Sequence, residues 1–289
     1  MKIGVVTDTA ADLPPEIIEE FDIAVVPQIV TFNDKAMKLG EDISYSEYYK
    51  LLDTLETIPS TASPDPASYY KVYREFIEDK KCNYVFCVTV SKELSGTFSS
   101  AKIGAKKIGD KIVIINSGSA SGVEGLIALN IAKLGKKGKS VKEIEDTVNK
   151  MIEGSCLGAG FQTFENIHKF GRMKSKFIYN LTKLLMIKPI LILENEVLKP
   201  KIPGFFTENH MMNRLVKIVL KNINRNLTFD IVISHVDNLE GANKLLTKIS
   251  NKIKIKETYI TSATPLVGTH TGWNTVILSL VPSISNKNM

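Results

Sequence analysis

Cysteine is scarce in this chain of 289 residues: there are three, at Cys82, Cys87 and Cys156. An odd number with no Cys-x-x-Cys spacing argues against both a disulfide framework and a zinc site, and points to buried thiols. Long apolar runs are missing too, since none approaches the ~18 residues that a membrane-crossing helix needs. Met1-Lys2 leads directly into a strand pattern, with no extended apolar region or small-residue cleavage site, so a cytoplasmic protein is expected. Histidine is limited to four. No His-Glu-x-x-His pair and no Gly-x-Ser-x-Gly elbow occurs, which removes the common metalloprotease and hydrolase signatures. Neither a catalytic residue nor a metal ligand is assigned.

What is present suits a soluble globular chain with a real core: 44% of residues are hydrophobic and 24% charged. The net charge of +6 and pI near 9.0 permit an acidic partner without requiring one. Lysines crowd residues 133–142 and 244–256, yet neither stretch interleaves aromatics or follows a recognition-helix pattern. Solvated surface is therefore expected there, and no nucleic-acid partner.

Strand patterns at 2–6, 23–32, 84–89 and 111–115 alternate with helical ones, which predicts an α/β fold with a mostly parallel sheet flanked by helices. Asp12 is placed to cap a helix that admits Pro14 and Pro15 in its first turn, and Ser44 with Glu47 forms a capping box. Asp65-Pro66 opens a helix whose Tyr69, Val72, Tyr73, Phe76 and Ile77 share one face. Ser140 and Glu143 cap another, with Val141, Ile144, Val148 and Met151 inward. Glu153-Gly154-Ser155 breaks that pattern, so the boundary between two α/β domains is expected there, giving 1–154 and 155–289. The second half reads as a strand at 156–162, a helix near 174–185, and a hairpin of 189–193 with 197–202 turning at Glu194-Asn195. Helices at 207–222 and 239–251, strands at 229–234, 255–260 and 274–281, and a frayed tail at 283–289 complete it.

Two glycine-containing stretches mimic nucleotide motifs and fail them. Gly135 and Gly138 are too close for a P-loop and follow no strand, and Gly158-Ala159-Gly160 lacks the third glycine of a dinucleotide fingerprint. Ser95-Gly96-Thr97 is more informative, because it lies where a strand gives way to a helix. A helix start leaves backbone N–H groups unpaired at the positive end of the macrodipole, and Gly96 lets a ligand approach the chain closely. Residues 7–14 and 59–66 are similar small-polar turns. Gly268-Thr269-His270-Thr271-Gly272 reads as a fourth, in which the imidazole completes an anion site.

These motifs occur in a recognisable order: Thr7-Asp8-Thr9-Ala10-Ala11-Asp12-Leu13-Pro14, residues 61–64, Ser95-Gly96-Thr97 with Ser100-Ala101, Phe170-Gly171-Arg172-Met173, Lys188-Pro189-Ile190-Leu191, and residues 268–272. The series resembles the DegV family of bacterial fatty-acid-binding proteins over nearly the whole chain. The resemblance implies two α/β domains with a long-chain fatty acid such as palmitate or oleate between them, and no other cofactor. By that resemblance Thr61, Ser95, Gly96, Thr97 and His270 hold the carboxylate and the second domain holds the tail. It further implies that Arg172 faces a fatty-acid kinase subunit that phosphorylates the bound acid. The chain departs from the family pattern at Phe170, Ala62-Ser63, Asn116 and Trp273. Two hydroxyls, helix-start N–H groups and an imidazole satisfy a carboxylate without a buried counter-charge. The alternative is an acyl-transfer enzyme with Ser95 as nucleophile and His270 as base, for which no orienting third group is apparent.

Overall fold

The alternating patterns of the sequence resolve into three sheets in a computed structural model, which describes residues 1–171, 180, 187–201 and 207–284. The chain runs through β1 (Ile3–Asp8), α1 (Pro15–Glu20), β2 (Ile23–Val26), β3 (Ile29–Phe32), β4 (Lys35–Lys38), α2 (Tyr45–Thr54) and β5 (Ser60–Ala62). Next come α3 (Pro66–Arg74, continued by a π-helical turn over Glu75–Asp79), β6 (Tyr84–Thr89), α4 (Thr97–Ala105), β7 (Ile112–Asn116), α5 (Ser121–Lys136) and α6 (Val141–Gly154). Then follow β8 (Cys156–Gly160), α7 (Glu165–Lys169), β9 (Ile190–Glu194), β10 (Val197–Pro200) and α8 (Glu208–Val219). Last are β11 (Thr228–His235), α9 (Leu239–Ser250), β12 (Lys254–Ser262), α10 (Pro265–Thr271) and β13 (Val276–Pro282).

The first sheet is the parallel one the sequence predicts, in the order β2-β1-β6-β7. Its strands are nearly continuous apolar runs because both faces are covered. Val5, Phe86 and Val88 point to one face, onto α5, while their neighbours Val6, Val85 and Cys87 point to the other, where Tyr69, Tyr73 and Phe76 of the predicted aromatic stripe pack. Three of the four capping signals held: the Ser44 and Ser140 hydroxyls each accept from the N3 backbone N–H while their own backbone N–H donates to the Glu47 and Glu143 carboxylates, and the Asp65 carboxylate accepts from Ser68 N at 2.9 Å.

The second large sheet is six-stranded and mixed, in the order β10-β9-β8-β13-β11-β12, with only β11 and β12 parallel. One face packs on α8 and α9, and the other joins the core around α5. Helix α5 therefore lies between the sheets and is buried almost all round, with 13 side positions from Ser121 to Leu134 out of water. Its Gly122 makes this close approach possible: a Cβ there would run into Val232 and lie 2.9 Å from Ser279 Cβ.

Several elements differ from the sequence reading. The 23–32 run is two strands in two sheets, because Pro27-Gln28 breaks it; β3 turns away to pair antiparallel with β4 and β5. Residues 59–66 are accordingly not all turn, since β5 lies within them. Asp12 caps nothing: α1 starts from Pro14 without a side-chain cap, and the Asp12 carboxylate is engaged elsewhere. Residues 265–271 form a helix, not a turn, with Thr264 as N-cap and Gly272 at φ +82° ending it. Ser283 is not frayed; it is buried, and its hydroxyl donates to Asp230. Gly158 in the middle of β8 and Gly160 at its end lie against Leu215, Val219 and Met211 of α8, where small residues admit the helix. The three cysteines are buried and free. Arg172, all of the predicted helix at 174–185 except residue 180, and residues 285–289 lie outside the described residues.

Candidate functional site

In the parallel sheet β1 connects first to β2 on one side and then across to β6 on the other, so the strand order reverses between β1 and β6. Crevices form outside the carboxyl ends of strands at such a point. Here the loops leaving β1, β6 and β7 make one wall of a cavity of about 170 Å³, lined among others by Ala10, Val90 and Ala120. That is more than ten times the ~10–15 Å³ one water requires. The opposite wall is apolar, with Leu157 and Ala159 from β8, Leu193 and Leu198 from the β9–β10 hairpin, and Ile277 from β13.

Polar groups gather at one end. Thr61, on β5, has its Oγ1 3.1 Å from Nε2 of His270 on α10. Ser63 Oγ lies 3.1 Å from Ser95 Oγ, and Ser95 Oγ lies 2.8 Å from Thr97 Oγ1 while accepting from Thr97 N at 3.3 Å. Gly96 lines the cavity at the N-cap of α4, where an added Cβ would sit 3.2 Å from Ser63 Oγ. Sequence reasoning named four residues that this end brings together: Thr61, Ser95, Gly96 and His270. Thr97 is placed differently, fully buried behind Ser95 and outside the cavity wall. Gln28 and Ser63 also line the cavity and were missed as site residues. The signal for Gln28 was its place, an amide in the middle of an otherwise apolar run after Pro27.

Residues far apart in sequence fix this geometry. Asp12 accepts from Thr264 N at 2.7 Å and from Ser121 Oγ at 2.5 Å, and Thr264 Oγ1 donates to the Thr9 carbonyl at 2.6 Å. Tyr48 OH lies 2.7 Å from Thr269 Oγ1, and Tyr49 OH donates to the Ala263 carbonyl at 2.8 Å. The helix bearing His270 is thus clamped by the first motif and by α2. The Phe170 ring packs against the His270 imidazole, with 4.0 Å between centroids and the planes tilted by 49°. Asp8 holds the other wall, accepting from Ala10 N at 2.8 Å, Gln28 Nε2 at 2.8 Å and Val90 N at 3.1 Å.

Burial pushes the three carboxyls nearest the cavity walls, Glu124, Asp8 and Asp12, upward. Glu124 is raised well above the usual range, first by desolvation and then by the Asp8 charge, with its Oε1 accepting from Thr7 at 2.9 Å. Asp8 is raised by desolvation against four hydrogen bonds. Asp12 is pushed up from 3.8 to about 6 by desolvation, which its hydrogen bonds from Ser121 and Thr264 only partly offset. An acid whose folded value is raised favours the folded state fully below its unfolded value, and that contribution is lost as pH climbs through the folded one. The Asp12 rise corresponds to about 3 kcal/mol. Between pH 4 and pH 7 the stability of the wild type relative to Asp12→Asn is expected to fall by that order in urea unfolding. A flat difference across this window would refute the assignment.

Fold and cavity together define an α/β protein of three sheets with a pocket lined by both polar and apolar side chains. The family model described as "Uncharacterised protein, DegV family" matches residues 2–283, and the chain belongs to the DegV family. A fatty acid-binding protein of Thermotoga maritima is 25% identical over 282 residues, covering 96% of each chain. Two solved structures share the fold at 20% identity. One, a fatty-acid-binding DegV family protein from Thermus thermophilus, superposes with a TM-score of 0.88 over 98% of this chain and 100% of its own. The other, a stearic acid-binding protein from Eubacterium ventriosum, gives 0.85 over 98% of each.

Proposed function

We propose that this protein binds one long-chain fatty acid, such as palmitate or oleate, and carries it in lipid transport or fatty-acid metabolism. In this reading residues 1–154 and 155–289 are the two domains and the ligand lies between them. Thr61, Ser95 and His270 hold the carboxylate, Gly96 gives it access to the backbone, and Thr97 orients Ser95. The observation that carries the reading is the amphipathic lining of the cavity: the hydrogen-bonded hydroxyls and imidazole of Thr61, Ser63, Ser95 and His270 together with the apolar Leu157, Ala159, Leu193, Leu198 and Ile277. A carboxylate with an alkyl tail matches that lining. Burying a sixteen-carbon tail contributes on the order of 11 kcal/mol before association costs, so the tail supplies most of the affinity and the head group sets direction. The named ligands of the Thermotoga maritima, Thermus thermophilus and Eubacterium ventriosum relatives support the same choice.

The carrier is not an enzyme. Among the described residues Ser95 Oγ is bonded to Ser63 and Thr97, while His270 Nε2 is bonded to Thr61, so the pair that acyl transfer needs is not made. The protein acts in the cytoplasm and presents the carboxylate to a fatty-acid kinase, with Arg172 facing that partner. Among the described residues no helix is long and apolar enough to cross a membrane, and no group of His, Cys, Asp and Glu is placed for a metal.

Titration of delipidated protein with palmitate tests the reading. At a hundredfold excess over Kd the ligand stabilises the fold by about 2.7 kcal/mol, so the melting temperature rises with concentration. Acyl-CoA and acyl esters stay intact in the same samples. With a fatty-acid kinase and ATP, acyl phosphate forms, and Arg172→Ala lowers its yield at unchanged palmitate affinity. No thermal response to palmitate or oleate removes the carrier reading, and Ser95-dependent hydrolysis with burst kinetics installs the enzyme.

A further inference from the structure

One polar group in the cavity has no counterpart in the recognition of a plain fatty acid. Gln28 is 4% exposed and lines the cavity. Its amide nitrogen donates to Asp8 Oδ1 at 2.8 Å, which fixes which end of the amide is which: a carboxylate accepts only from the N–H₂ side. Among the described residues the carbonyl end forms no hydrogen bond. A side chain this buried with an unused acceptor loses its hydration unless something in the cavity donates to it.

Its position says which part of a ligand it meets. β3 pairs antiparallel with β5, with Val30 opposite Thr61 and Ile29 opposite Ala62. Gln28 and Ser63 are the residues that adjoin this end of the pairing on the two chains. Gln28, Thr61 and Ser63 line the cavity, and Ser63 touches Ser95. The amide therefore enters the cavity beside the chain segment that carries the hydroxyls proposed to hold the carboxylate.

We propose that Gln28 selects acyl chains carrying a hydroxyl close to the carboxylate, within the first three carbons, and that 3-hydroxy fatty acids are the preferred ligand class. The hydroxyl donates to the Gln28 carbonyl. An unsubstituted methylene at the same place leaves that acceptor unpaired. A carboxylate oxygen does not fill the role, because it only accepts. The inference rests on the fatty-acid reading, and its test separates the two.

Palmitate, 3-hydroxypalmitate, stearate and 12-hydroxystearate compete against a fluorescent fatty acid for delipidated wild type and for Gln28→Leu. One net hydrogen bond predicts about threefold to tenfold tighter binding of 3-hydroxypalmitate than palmitate by the wild type. 12-Hydroxystearate, whose hydroxyl falls among apolar side chains, binds more weakly than stearate. In Gln28→Leu the preference for 3-hydroxypalmitate over palmitate disappears or reverses. Equal affinity of the wild type for palmitate and 3-hydroxypalmitate overturns the proposal while leaving the fatty-acid reading intact, and binding of none of the four overturns that reading itself. A 3-hydroxy preference that survives Gln28→Leu also overturns it, by assigning the hydroxyl to another group. Because Gln28→Leu removes a partner of Asp8, its melting temperature is read alongside. If it fails to fold, the wild-type comparison of 3- against 12-hydroxylation decides alone.

Discussion

Thr61→Ala combined with Ser95→Ala is expected to weaken palmitate binding by about 2–4 kcal/mol, or roughly 30- to 1,000-fold. Each substitution leaves a carboxylate in a water-poor cavity one donor short, and a buried acceptor without its partner loses about 1–3 kcal/mol. Both side chains are proposed to hold the same carboxylate, so their effects are expected to couple and the double loss to fall short of the full sum. The fold should be affected less, because neither side chain belongs to the main cores. Competitive displacement measures the affinities and thermal melting measures the fold. Unchanged affinity in the double variant would place the head group elsewhere.

The second large effect is expected at the other end of the cavity. Ala159 lies at the centre of the six-stranded sheet, paired with Leu191 and Ile277, and its side chain lines the apolar wall. Ala159→Phe puts a ring where methylenes are proposed to lie. At about 0.8 kcal/mol for each methylene kept in water, excluding four of them loses about 3 kcal/mol, on the order of a hundredfold for palmitate. Decanoate, too short to reach the ring, should lose little. This dependence on chain length separates a blocked tail from a damaged fold, which would weaken both acids together. Equal losses for the two acids would contradict the assigned direction of the ligand.

Much of this was legible from local chemistry. Ser44, Asp65 and Ser140 announced helix starts because capping is decided within four residues, and the stripe from Tyr69 to Ile77 announced a buried face because helical spacing is local too. Polar clusters at 61, 95 and 270 were visible as small-residue segments, and the cavity gathers them. What could not be read depended on partners distant in sequence. Asp12 had every local mark of an N-cap, yet its carboxylate is taken by Ser121 and by Thr264, 252 positions away. Residues 268–272 looked like a turn because two glycines flank them. Only Gly272 acts as a terminator, and Gly268 packs within the helix against the Tyr49 ring. Gln28 was hidden in an apolar run, and its significance depends on Asp8 fixing its amide and on β5 arriving beside it.

The central claim, that this chain encloses one fatty acid, is tested most directly by native mass spectrometry of protein freshly purified from a bacterial host. Denaturing extraction of the same preparation then identifies what was bound. The account predicts a single adduct per chain with the mass of a long-chain fatty acid, lost on extraction and restored one-to-one by added acid. A chain that stays at its own mass before and after palmitate is added would contradict it.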